Sequence, residues 1–173
     1  MSDLKKAQLA MAKLDAQVAE AGLHITDGPN QALGLDANEH EVWGTLDGTH
    51  RLSASHNMLN HTDVFDFTLS GGHDFNFTIS GFQPQTFNGA GQPGWDGIHD
   101  LLEFDWDPST GVTSLAQAQA AEHAQLAANG HDIVFSINAP HVHGTITFAG
   151  LADHFQTQSG DHWGWHNDFI IAV

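Results

Sequence analysis

The chain of 173 residues has no cysteine, no tyrosine and only four Lys and Arg against 21 Asp and Glu. Without cysteine there are no disulfides and no thiolate metal sites. The shortage of basic side chains excludes nucleic acid as a partner, because phosphate backbones are held by clustered Lys and Arg. It equally disfavours anionic membrane surfaces. No apolar run reaches the roughly 18 residues that a spanning helix needs, so no membrane span is expected. The N-terminus has no signal-peptide core either, since Lys5, Lys6, Lys13 and Asp15 interrupt its apolar residues.

Acid is abundant instead. The first 22 residues balance Lys5, Lys6 and Lys13 against Asp3, Asp15 and Glu20, so the rest of the chain carries the whole net charge of −17. Repulsion on that scale weakens a compact fold unless cations relieve it or solvent screens it. Apolar residues make up 40%, including 11 Phe and 5 Trp, which is enough for a packed core and argues against global disorder. Fourteen histidines are the other surplus, and imidazole is a common ligand of zinc, copper and haem iron.

Two regions are expected. In residues 1–22, Leu4, Ala7, Met11, Leu14, Val18 and Ala21 recur at spacings of three and four, so an amphipathic helix is predicted, capped by Ser2 and ended by Gly22. That stripe either docks on the rest of the protein or serves self-assembly. Residues 23–173 read as one β-rich domain. A polar connector is expected over 23–40. Strands are predicted at Val42–Leu46, His50–Ser55, Val64–Leu69, Phe75–Ile79, Leu101–Trp106, Ile133–Ile137, Thr145–Phe148 and Phe169–Val173, from period-two alternation and flanking Gly, Asn and Asp. Ser114, the Ala- and Gln-rich run after it and Gly130 predict an inserted helix over 114–128. The fold expected is mainly β with two helices, as a short β-roll (β-solenoid) or a β-sandwich-like domain.

Several stretches, in order, resemble the C-terminal end of hemolysin-type (RTX, serralysin-like) secreted proteins. They are His61-Thr62-Asp63-Val64-Phe65-Asp66-Phe67, Gly72-His73-Asp74-Phe75-Asn76-Phe77-Thr78-Ile79, Asp100-Leu101-Leu102-Glu103-Phe104, Gly130-His131-Asp132-Ile133-Val134-Phe135, Gly144-Thr145-Ile146-Thr147-Phe148 and Asp168-Phe169-Ile170-Ile171. The resemblance implies a parallel β-roll ending in a cap and export by type I secretion machinery through an uncleaved C-terminal signal. Asp168-Phe169-Ile170-Ile171-Ala172-Val173 has the form of that signal, an acid followed by apolar residues. An extracellular location follows. The family's tandem calcium repeat is not intact here: Ser70-Gly71-Gly72-His73-Asp74 is a single degenerate copy. No H-E-x-x-H occurs, so the resemblance extends to the export module and not to a protease.

The candidate chemistry is metal binding. Calcium takes six to eight oxygens from carboxylates and carbonyls, and Asp63, Asp66, Asp74, Asp100, Glu103, Asp105 and Asp107 lie in or near turns, with Asp63, Asp74 and Asp100 the leading candidates. His141-Val142-His143 puts two imidazoles at i and i+2, on one face if the segment is a strand, where they could grip zinc or copper; His154, His162 and His166 follow closely enough to complete a shell. Trp163 and Trp165 between the last two suggest a haem platform as a further option. No nucleophile elbow, phosphate loop or catalytic cysteine is present. The function read from sequence is thus a secreted, non-enzymatic metal-binding protein. A structural subunit of an extracellular filament, matrix or surface layer is the alternative, and a metal-dependent enzyme ranks third.

Overall fold

A computed structural model describes residues 2–29, 38–54, 61–83, 100–154 and 169–172. Helix α1 spans Asp3–Glu20. The strands are β1 (His24–Pro29), β2 (Asn38–Thr45), β3 (Gly48–Ser53), β4 (His61–Leu69), β5 (Phe75–Ser80), β6 (Leu101–Trp106), β7 (Glu122–Leu126), β8 (Ile133–Asn138), β9 (His143–Ala149) and β10 (Phe169–Ala172), with helix α2 (Leu115–Ala121) between β6 and β7. They form two five-stranded sheets, ordered β1-β2-β4-β6-β10 (sheet A) and β3-β5-β9-β8-β7 (sheet B). The protein is mainly β with two helices.

The central strands of both sheets are parallel; the chain alternates between sheets from β2 to β6, then places β7, β8 and β9 in sheet B before β10 returns to sheet A. β2, β4, β6 and β10 pair in parallel in sheet A, while β3, β5 and β9 do so in sheet B. Where parallel strands are neighbours within a sheet, their inward side chains stack in register. Phe67 lies opposite Phe104, and Phe65 opposite Leu102. In the other sheet Phe77 lies opposite Ile146 and Ile79 opposite Phe148. Across the interior Phe104 stacks on Phe135 at 5.3 Å, and Phe67 meets Phe77 at 6.2 Å. Gly144 leaves room for the Phe75 ring, because a Cβ there would stand 2.5 Å from it. Antiparallel hairpin partners finish the sheets: β1 on β2, and β8 and β7 beyond β9.

Helix α1 closes the β1–β3 end. Ser2 accepts from the Lys5 N–H at 3.3 Å as N-cap. At the other terminus Leu23 N–H reaches Val18 O at 3.0 Å and Gly22 N–H reaches Ala19 O at 3.2 Å, the paired bonds of a Schellman ending around Gly22 at φ 71°. Of the expected stripe, Ala7, Leu14, Val18 and Ala21 are buried, whereas Leu4 is exposed. Gln17 also ties the helix to edge strand β3, its Oε1 accepting from Ser53 N–H at 2.7 Å. The helix therefore supplies a hydrogen bond as well as apolar cover to an edge that would otherwise be open.

Two local expectations are corrected. The stretch read as a polar connector contains β1, an edge strand held by pairing to β2 and by the stack of His24 on Trp43, whose ring centroids are 4.6 Å apart. The predicted helix over 114–128 stops at Ala121. From Glu122 the chain is extended and pairs with β8, so tertiary pairing at the sheet edge overrides the helix preference of Ala and Gln.

Candidate cation-binding surfaces

The aspartates singled out from the sequence hold neighbouring turns together. Asp100 is fully buried just before β6. Its carboxylate accepts from Asp63 N–H at 3.1 Å and from Gln83 N–H at 2.8 Å. Asp74, just before β5, accepts from His143 N–H at 2.9 Å. Asp132, just before β8, accepts from Gly150 N–H at 2.8 Å. One device recurs: an acid at the entry to a strand takes a backbone N–H from a neighbouring turn or strand start. Asp63 is also fully buried and lies opposite His40, itself buried, whose Nε2 is 3.1 Å from Asp15 of α1.

The degenerate repeat Ser70–Asp74 is a tight turn packed on its neighbours. Gly71 N–H donates to Ser109 Oγ at 2.9 Å, and a Cβ on Gly71 would sit 2.3 Å from Ser109 O. Gly72 N–H donates to His141 O at 2.7 Å. His141 and His143 are both exposed. His141 precedes β9 in a bend, and His143 opens the strand with its Nδ1 3.8 Å from Asp74 Oδ1. On the same ridge of turns His73 Nδ1 is 3.6 Å from Asp47 Oδ1. His154 ends a 3-10 turn, Leu151–His154. His162, His166, Trp163 and Trp165 lie outside the described residues. Among the described residues, no group of three His, Asp or Glu side chains is arranged to hold a metal ion.

A denser set of acids lies on the outer face of sheet A. In β4 and β6 the odd–even alternation that buries Phe65, Phe67, Leu102 and Phe104 turns Asp66, Glu103 and Asp105 outward. Asp66 stands in register with Trp43 on one side and Glu103 on the other. Glu41 and Asp105 lie one pleat away on the neighbouring strands. Partial burial, then the charges of Asp105, Glu103 and Glu41, and a carboxyl–carboxylate contact with Glu41 push Asp66 up to about 7. Burial and the charges of Asp105 and Glu41 raise Glu103 as well. At neutral pH this lattice retains a proton in place of full ionisation. Beside it Trp43 is 41% exposed, with its Nε1–H donating to Thr26 at 3.0 Å.

The outward positions of sheet B are different. Thr49, Arg51, Asn76, Thr78, Ser136, Thr145 and Thr147 occupy them, and among the described strand residues none is acidic. Repulsion between carboxylates is therefore concentrated on one face. The sequence pattern contained this signal: Phe65-Asp66-Phe67 and Glu103-Phe104-Asp105 both alternate acids with buried aromatics. Parallel stacking of successive passages was the missing step that makes them neighbours.

No protein-family model matches the chain, and neither a curated protein nor a solved structure was found to be similar to it. No described helix is long and apolar enough to cross a membrane.

Proposed function

We propose that this is a non-enzymatic, cation-binding protein of the extracellular space, and that the outer face of sheet A is its binding surface. The observation that carries the reading is the Glu41, Asp66, Glu103 and Asp105 lattice, whose central acid is pushed up to about 7 first by partial burial and then by the charges of its acidic neighbours. A hard divalent cation such as calcium, which takes carboxylate oxygens in flexible geometry, would replace that proton and relieve the repulsion. Zinc or copper would use the exposed ridge of His141, His143 and Asp74.

Export rests on the sequence resemblance to the C-terminal end of hemolysin-type proteins and on its tail from Asp168 to Val173. Phe169–Ala172 of that tail form β10, paired in parallel with β6. Two experiments test the reading. Metal analysis of untagged protein, before and after chelation, should find stoichiometric calcium that Asp66→Asn with Glu103→Gln removes. Deleting the six terminal residues should abolish release through a type I exporter. Metal-free protein that is indifferent to calcium, zinc and copper would contradict the binding claim, and undiminished release would contradict the export claim.

A further inference from the structure

We propose that β7 is a releasable edge strand, held in place while the half-buried carboxyl of Glu122 is protonated and freed when that carboxyl ionises. Four observations meet at this point. The first is the conflict between sequence and structure over 114–128. Ser114 caps the segment, accepting from Gln117 N–H at 3.3 Å, while Gln117 Oε1 accepts in return from Thr113 N–H at 2.8 Å. A well-capped run of Ala, Gln, Leu and Glu then ends after seven residues. The second is the weak hold on β7. It is the outermost strand of sheet B, paired on one side only, with His123, Gln125 and Leu126 exposed.

The third is Glu122, where helix turns to strand. Its Oε1 is buried without a hydrogen-bond partner, and so is the Nε1–H of Trp106. The two groups approach closely enough for the indole to favour the carboxylate slightly, yet neither reaches hydrogen-bonding geometry. The fourth is the surroundings. β6 presents Trp106 and β8 presents Ile137 as register partner, and no charged group among the described residues acts on Glu122. Burial therefore dominates and pushes the carboxyl up to about 7.

The direction follows from linkage. The folded carboxyl binds its proton more tightly than the unfolded one, with ordinary value 4.5. The hold on β7 is full below that value, declines as pH rises through the interval to about 7, and stays low above it. In the alkaline state the carboxylate leaves for water and β7 parts from β8. Residues 122–128 are then free to continue α2, and the hydrogen-bonding edge of β8 is open to another strand.

Hydrogen exchange on the full chain tests this, with protection factors corrected for intrinsic rates at pH 5 and pH 8. Amides in β7, and those of β8 paired to them, should lose about tenfold protection at pH 8, a partial-burial discount on the full shift, while α1 amides do not. The midpoint should coincide with the Glu122 carboxyl titration followed by carbon NMR in the same wild-type protein. Glu122→Gln should keep β7 protected at both pH values. Equal protection of wild-type β7 at the two pH values would overturn the proposal. So would a midpoint far from the Glu122 titration.

Discussion

At the scale of single residues, two kinds of acid separate. Asp100 and Asp74 are consumed by backbone N–H groups, and Asp100 is wholly buried. Removing Asp100 takes this acceptor away from the N–H groups of Asp63 and Gln83. Asp100→Ala is expected to cost roughly 2–4 kcal/mol, read as a shift of the urea midpoint. Asp66 behaves in the opposite way. Its folded pKa of about 7 lies above the ordinary 3.8, so ionising it costs stability across that interval and the penalty is complete above it. Asp66→Asn should raise the melting temperature at pH 8, by the equivalent of about 1 kcal/mol after solvent screening, and change little at pH 3.5. Unchanged melting at pH 8 would show that Asp66 is not repelled. His131, by contrast, is raised by its bond to Asp153 at 2.7 Å. Both groups are exposed, and the pair is a surface contact.

At the scale of elements, the phenylalanine ladders and the capping helix hold the fold. Leu14 is fully buried under the β1–β3 end, so Leu14→Ala should cost about 2–5 kcal/mol. Gln17→Ala should cost about 1 kcal/mol and raise exchange at the Ser53 amide, whose acceptor it removes. Much of this level was legible in the sequence. Val64–Leu69, Phe75–Ile79 and Leu101–Trp106 alternate so cleanly that the strands lie where expected, and the α1 stripe is buried from Ala7 to Ala21. β1 was not legible because its stability comes from β2 and from one aromatic stack, neither of which is local. β7 was not legible because local preference there points to helix. The candidate site was half legible: residue types and turn positions announced acids and histidines. Which acids adjoin which depends on the register between strands whose partners lie 23 and 37 residues apart in sequence.

At the scale of the whole molecule, charge is unevenly laid out. Sheet A turns its carboxylates outward, while sheet B presents hydroxyls, amides and Arg51. On the proposed reading, a −17 chain built this way would take its cations on one side. Added monovalent salt should stabilise it by screening alone, whereas calcium should do so at far lower concentration and saturate. The most direct measurement is a carbon-detected NMR titration of the Asp66 carboxyl, without calcium and with calcium in excess. The expected result is a titration near pH 7 without the ion that falls below the ordinary carboxylate range when it is added. A titration at the ordinary value, or one that calcium leaves unmoved, would contradict cation binding at this face.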